Sequence, residues 1–229
     1  MSNYWKNHYD LISRQFDGSL LKQVGKTENG QEIPELQVKL IVKNIVNTLQ
    51  LNVNDSLIDL CCGNGLITRQ LAPLVKNVIG VDFTSGLIDV AIDYNNYPNT
   101  EYVNSDILDL DSNYFLGLKK FLMYEALQHF SEKQFTILLN GLCKLEKGSL
   151  VFFASIPNKE KLNAYYDTKE KFAFYMQRES VGMPHIGRWW LMEEIEALAF
   201  ARSFNVTFIH QEPTLYTAYY RFDVLLEKS

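Results

Sequence analysis

The stretch Ser56-Leu57-Ile58-Asp59-Leu60-Cys61-Cys62-Gly63-Asn64-Gly65-Leu66-Ile67-Thr68 reads as a short buried strand, a glycine-containing turn and the start of a helix. Two glycines let the backbone turn sharply and approach a ligand, because no side chain intervenes and positive φ costs them little. The helix start beyond them offers N–H groups that have no partner within the helix. Asp59 ends the strand, and Asp82 follows a second apolar run, Val78-Ile79-Gly80-Val81, 23 residues further on. An acid at that second position accepts the hydroxyls of a ribose, so the stretch reads as a nucleotide-binding turn.

On the N-terminal side, Leu36, Leu40, Ile41, Ile45, Val46 and Leu49 follow three-and-four spacing and predict a helix over 34–49 with one buried face. On the other side come a helix through Leu71, a strand ending at Val81, a helix around 87–92, and strands at Tyr102-Val103 and Phe121-Leu122-Met123. Ser131-Glu132-Lys133-Gln134 is a capping box opening a helix that carries Phe135, Leu138, Leu139 and Leu142. An apolar strand, Leu150-Val151-Phe152-Phe153-Ala154, a charged and aromatic helix around 161–177 and a loop through Met183-Pro184-His185-Ile186-Gly187-Arg188-Trp189-Trp190 follow. A helix around 192–201 leads to two strand-like runs, 205–209 and 216–226, joined through Glu212-Pro213. Strands that alternate with helices imply a parallel sheet covered on both faces.

The bulk composition narrows the function classes. A chain of 229 residues suits one domain with a substantial core of its own. With 22 basic and 27 acidic residues, net charge −5 and an isoelectric point of about 5.4, it has no general attraction for a phosphate backbone, so no nucleic acid partner is expected. No apolar run approaches the roughly 20 residues that span a bilayer, and the start, Met1-Ser2-Asn3-Tyr4-Trp5-Lys6, lacks a leader pattern, so no membrane partner and a cytoplasmic location are expected. Three cysteines without framework spacing argue against disulfides and structural zinc, and no metal is expected. Gln23-Val24-Gly25-Lys26-Thr27 is no phosphate loop, because Leu20 stands where that loop needs its first glycine.

Asp59-Leu60-Cys61-Cys62-Gly63-Asn64-Gly65 resembles the first motif of the class I S-adenosylmethionine-dependent methyltransferases, whose pattern is acid-x-Gly-x-Gly-x-Gly. Cys61 departs from it, standing where the first glycine usually does. The nicotinamide pattern G-x-G-x-x-G fits less well, since Thr68 occupies its last position. The resemblance covers about the central half of the chain. It implies an α/β fold: a Rossmann-like, doubly wound, mostly parallel seven-stranded sheet with an antiparallel C-terminal strand and an N-terminal helical cap. One domain over 1–229 is expected, with 1–33 as cap or lid and 157–191 as a substrate-side insertion.

Ligands of such sheets bind beyond the carboxyl ends of the strands, where Asp59, Asp82, Asp106 and Tyr124-Glu125-Ala126-Leu127-Gln128-His129 all fall. By the resemblance, Cys61, Cys62, Gly63, Asn64 and Gly65 surround the methionine part of the cofactor, Asp82 holds the ribose, Phe83 lies against the adenine, Asp106 and the Ile107 N–H meet its edge, and Tyr124 completes the lining. Taken singly, Asp82 or Asp106 reads equally as a helix cap. Gln23 or Lys26 is a candidate for the methionine carboxylate, the alternative being a flexible polar loop.

Methyl transfer to oxygen benefits from a general base, and His129 is the best placed of the four histidines; the alternative is a histidine that only holds its loop. Glu125 is a candidate for the methionine amino group or a substrate amine. Substrate contacts are expected from Tyr4, Trp5, His185, Arg188 and Trp189, although Trp189 and Trp190 read equally as packing. Tyr216, Tyr219, Tyr220 and Arg221 read as strand residues with a polar outer face. The expected activity is methyl transfer from S-adenosylmethionine to a small molecule, preferably an oxygen of a sugar or secondary metabolite. The alternatives are a small amine acceptor, an NAD-dependent oxidoreductase and a non-catalytic binding protein. A homodimer is compatible with the sequence.

Overall fold

The computed structural model describes residues 3–229; Met1 and Ser2 of the segment read for a leader lie outside the described residues. Seven strands make one sheet: β1 Ser56–Leu60, β2 Asn77–Asp82, β3 Thr100–Asn104, β4 Lys120–Tyr124, β5 Leu150–Pro157, β6 Phe204–His210 and β7 Arg221–Lys228. Their spatial order is β3-β2-β1-β4-β5-β7-β6. The first five pair in parallel, and β7 runs antiparallel to both β5 and β6. The expected α/β fold with an antiparallel final strand is therefore present.

Side chains alternate across a strand, and the two cores follow that alternation. Ile58, Leu60, Phe121, Met123, Val151 and Phe153 enter one cluster with the helix Glu132–Leu142. Leu57, Leu122, Phe152 and Ala154 enter the other, against Ile41, Ile45 and Leu49 of the helix Glu35–Leu49. Apolar residues on both faces explain why the central strands read as continuous apolar runs. The capping box at Ser131 and Gln134 is formed as expected. Leu36, counted in the buried stripe, is instead exposed on the first turn of its helix.

Two expectations change. The helix around 161–177 is two helices, Leu162–Tyr165 and Lys169–Ser180. Tyr166 between them is buried against Trp189 and Tyr220, and Thr168 caps the second helix by accepting from the Lys171 N–H at 3.1 Å. The run 216–226 is strand only from Arg221. Its first residues form successive turns, Ala218 N–H to Leu215 O at 3.0 Å and Arg221 N–H to Thr217 O at 3.1 Å.

Strand order reverses direction at β1, whose successors lie to one side and β4 to the other, and such a reversal opens a crevice at the carboxyl ends. The N-terminal helix, Asn3–Arg14, lies over that end and packs on the helix Ser85–Tyr94. It crosses at Gly86, where an added Cβ would meet the Ser13 side chain at 2.6 Å. Phe16 lies beyond the end of this helix and meets the Tyr94 ring at 5.2 Å.

Candidate functional site

The turn after β1 passes through three left-handed residues, Cys61 (φ 61°), Gly63 (φ 57°) and Gly65 (φ 74°). Glycine takes this conformation freely, whereas a side chain there costs about 1–2 kcal/mol. Cys61 therefore occupies a glycine conformation with a side chain in place. The Gly63 N–H donates to one Asp82 carboxylate oxygen at 3.0 Å, and the Thr84 N–H donates to the other at 2.9 Å. Burial pushes the Asp82 pKa up, against those two N–H groups. Asp59 is buried, accepts from Thr68 Oγ1 at 2.6 Å, and is lifted by burial to about 7.

Asp59, Cys61, Gly63 and Asp82 line a cavity that encloses about 670 Å³ with its open mouth included, and Gly65 lies outside its lining. Cys61, Cys62, Gly63, Asn64, Phe83, Tyr124, Glu125 and His129 complete the part of the lining foreseen from sequence. Asn64 borders the cavity, but its side chain is committed elsewhere. Its amide donates to Leu20 O and Gln23 Oε1, both at 2.9 Å, tying the N-terminal segment to the glycine turn.

A buried charged group sits on the other wall. Lys26 pairs with Glu125 and lies 4.1 Å from the Tyr124 ring centroid. Glu125 also accepts from Ser155 Oγ at 3.1 Å and has Arg221 Nε at 3.9 Å. Burial, with Arg221 adding to it, holds the Lys26 pKa well below its ordinary value. The register shift between Phe153 and Ile156, with Ser155 at φ 62°, brings Ser155 to Glu125. Gln23 and Lys26 are thus buried and bonded, not part of a flexible polar loop. Arg221 is buried and donates to Ser155 O, so it does not lie on a polar outer face.

The N-terminal helix supplies the roof. Tyr9 OH and His129 Nε2 are 2.9 Å apart, and the Trp5 ring lies 4.1 Å from the imidazole. Burial, then Arg221 and His8, pushes His129 down to about 3, so its ring is neutral near pH 7. Tyr9 of this helix is among the residues that line the cavity.

Other foreseen residues lie apart from the first cavity. Asp106 pairs with Lys6 at 3.1 Å and accepts from the Leu108 N–H at 3.1 Å, because the N-terminal helix reaches its carboxylate. The Ile107 side chain belongs to the core. Tyr4 accepts from Arg178 at 2.8 Å, and His185 Nδ1 lies 3.2 Å from Tyr166 OH. Arg188 pairs with Glu194 at 3.2 Å and Glu132 at 3.5 Å, while Trp189 packs with Tyr166 and Tyr220. Trp190 is core and donates to Leu127 O at 3.2 Å.

Residues 57–147 match a sequence family described as a methyltransferase domain. That match extends over 91 of the chain's 229 residues. Over 85 residues it is 36% identical to protein 235L of Invertebrate iridescent virus 6, named as a methyltransferase, covering 35% of this chain and 31% of that one. Over 77 residues it is 30% identical to the ribosomal RNA small subunit methyltransferase A of Rippkaea orientalis, covering 33% and 28%. The chain thus spans about a third of the length of these relatives. Its fold is shared with magnesium protoporphyrin IX methyltransferase from Synechocystis PCC 6803 with bound SAH, at TM-score 0.65, 15% identity and 99% and 97% coverage. It is also shared with the cyclopropane synthase MmaA2 from Mycobacterium tuberculosis, at TM-score 0.72, 13% identity and 99% coverage of each chain.

Around this cavity, sequence reasoning missed Tyr9, Ser155 and Arg221. Tyr9 is one of several aromatic residues in the N-terminal segment, and nothing local singles it out. A bulge in β5 and the contacts of the last strand leave no local signature, so Ser155 and Arg221 carry no signal in the sequence.

Proposed function

We propose that this chain transfers a methyl group from S-adenosylmethionine to an oxygen of a small acceptor, a sugar or secondary metabolite. The observation that carries the reading is the left-handed glycine turn bound to Asp82, opening on a cavity whose far wall holds the buried Lys26–Glu125 pair. The residues present fit the cofactor: Asp82 for ribose hydroxyls, Phe83 for a base, and a buried cation and anion for the carboxylate and ammonium of an amino acid. Entry of that zwitterion exchanges the Lys26–Glu125 contact for two ligand contacts, so neither buried charge is left unpaired. The chain is read as one domain, 1–229, with 1–33 as cap and 157–191 on the acceptor side. A net charge of −5 supports a small molecule over a nucleic acid.

When bound, the cofactor supplies an electrophilic methyl group on a sulfonium. The chain's own contribution is orientation and a suitable field. The glycine turn, Lys26 and Glu125 hold the methionine end of the cofactor, Asp82 its ribose, and the N-terminal helix keeps water out. The neutral His129 ring would accept the proton of the acceptor hydroxyl as that oxygen took the methyl group, the carbon–sulfur bonding pair staying on the cofactor's sulfur. A hydroxyl proton becomes strongly acidic as its oxygen is alkylated, so even a base of low pKa accepts it.

Calorimetric titration with S-adenosylhomocysteine, beside oxidised nicotinamide dinucleotide, tests the reading. Saturable binding of the first alone is expected, weakened about ten- to a hundredfold by Asp82→Ala through loss of a charged hydrogen bond. Binding of the dinucleotide alone overturns it. A labelled-methyl screen over hydroxyl and amine acceptors decides oxygen against nitrogen. Full turnover by His129→Ala at every pH, with normal cofactor affinity, removes the base role.

A further inference from the structure

The sheet ends on β6, Phe204-Asn205-Val206-Thr207-Phe208-Ile209-His210, which pairs with β7 alone. That pairing runs over the whole strand without a bulge. We propose that a second copy of this chain pairs with the open side of β6, antiparallel about a two-fold axis at Thr207, so that the two sheets join into one. No residue of β6 lines the cavity above or the neighbouring one that holds Arg188 and Trp189, so the pairing is independent of the methyl-transfer reading.

An unpaired sheet edge offers a row of N–H and C=O groups to any strand that fits, and proteins blunt such edges with short strands, charges, proline or bulges. The edge strand on the other side, β3, is five residues long and carries Glu101. β6 is longer and has no proline, lysine or acid. Its bonding phase follows from its first residues. The Ser229 N–H donates to Ser203 O at 3.1 Å, on the side of β7, whereas Lys228, opposite Phe204, turns its N–H away to Ser149 O at 2.9 Å. Bonding direction alternates along an antiparallel pair, so Asn205, Thr207 and Ile209 bond towards β7, and Phe204, Val206, Phe208 and His210 turn their N–H and C=O outward. Among the described residues, no backbone group of another segment bonds to this outward row. Asn205, Thr207 and His210 are exposed.

A two-fold axis at Thr207 sets Val206 against the partner's Phe208 and Phe204 against the partner's His210. Both pairs join outward-bonding residues, so each exchanges two hydrogen bonds. Just past the strand ends, Arg202 comes opposite the partner's Glu212, once at each end, as two-fold symmetry requires. Glu212 has no ion-pair partner among the described residues. Arg202 donates from Nε to Asn140 Oδ1 and from Nη1 to Leu198 O, each at 2.7 Å, which leaves Nη2 for an acid. An axis at Val206 would set Arg202 against the partner's His210, and an axis at Phe208 would set Glu212 against the partner's Phe204. Of these registers, the one at Thr207 meets both charges. Phe204 belongs to the larger core cluster and Val206 and Phe208 pack on it, so an apolar face continues across the join.

The test is sedimentation equilibrium of the full chain from micromolar to millimolar concentration. A concentration-dependent equilibrium between 26.5 kDa and twice that mass is expected. Thr207→Lys places two ammonium groups opposite each other at the axis and should weaken the dimer about five- to tenfold, with the circular dichroism spectrum and S-adenosylhomocysteine affinity unchanged. Residues directly opposite at a non-hydrogen-bonded position have Cα atoms about 4.5 Å apart, within disulfide reach. Thr207→Cys should therefore cross-link under mild oxidation on a non-reducing gel. Asn205→Cys, which faces the partner's Ile209, should not, and neither should wild type with its three cysteines. Should Thr207→Lys fail to fold, the two cysteine variants decide alone. A chain that is monomeric at every concentration, including one whose edge takes up another protein's strand, overturns the inference. So does a dimer unmoved by Thr207→Lys, or cross-linking by Asn205→Cys equal to that by Thr207→Cys.

Discussion

Asp59→Asn and His129→Gln are expected to tilt the pH dependence of stability in opposite directions. Burial lifts Asp59 to about 7 and sinks His129 to about 3, whereas in an unfolded chain the two titrate near 3.9 and 6.5. Between about pH 4 and 6.5 the folded protein therefore holds a proton on Asp59 and none on His129, and the unfolded chain does the reverse. The proton counts match, so together the two groups put almost no slope on stability there. Separately they do. Asp59, with a raised pKa, contributes stability that is complete below about pH 4 and is lost as pH rises through about 7. His129, with a lowered pKa, contributes stability that is complete above about pH 6.5 and is lost as pH falls towards 3. Replacing Asp59 by Asn removes the term that declines with pH, so the variant should gain on wild type by about 1.4 kcal/mol per pH unit, or roughly 2 kcal/mol from pH 4.5 to 6. Replacing His129 by Gln should lose about as much over the same interval. Urea unfolding at pH 4.5 and 6, with linear extrapolation, measures both. Parallel profiles for the three proteins would refute the assigned protonation states.

Asn64→Ala removes the amide that holds Leu20 O and Gln23 Oε1; limited proteolysis should then release the N-terminal segment faster, and the variant should be about 1–3 kcal/mol less stable. Gly65→Ala places a methyl group within 3 Å of the Tyr102 ring, whose hydroxyl is held by Asn95 O at 2.9 Å. Denaturation should show a loss of about 1–3 kcal/mol, and S-adenosylhomocysteine binding should weaken with it. Gln50→Gly, at the exposed left-handed end of the helix Glu35–Leu49 (φ 51°), should raise stability by about 0.5–1 kcal/mol, read as a shift of a few degrees in Tm.

The alternating strands and helices were legible because apolar runs, caps and glycine turns are local properties of a chain. The glycine turn with Asp82 was legible for the same reason, since one short strand–turn–helix unit and the next strand end hold all of it. The helix predicted over 161–177 was not, because Tyr166 is drawn out of helical geometry by Trp189 and Tyr220, which lie far along the chain. Likewise the turns over 216–220 depend on contacts such as Thr217 Oγ1 donating to Gln211 Oε1 at 2.8 Å. Asp106 looked equivalent to Asp82 by position, yet Lys6 reaches it from the far end of the chain.

What the sequence by itself set was the order of elements, the left-handed turn and the acids at the strand ends, all consequences of spacing and backbone preference within about thirty residues. Only the tertiary structure decided which of those acids lines a cavity. It also put Lys26 beside Glu125, Arg221 behind that pair and Tyr9 on His129, over separations of 99, 96 and 120 residues. The physical reason is burial: a charge or imidazole changes its protonation only when the rest of the chain has taken it out of water, and no local pattern records which distant segments will do so.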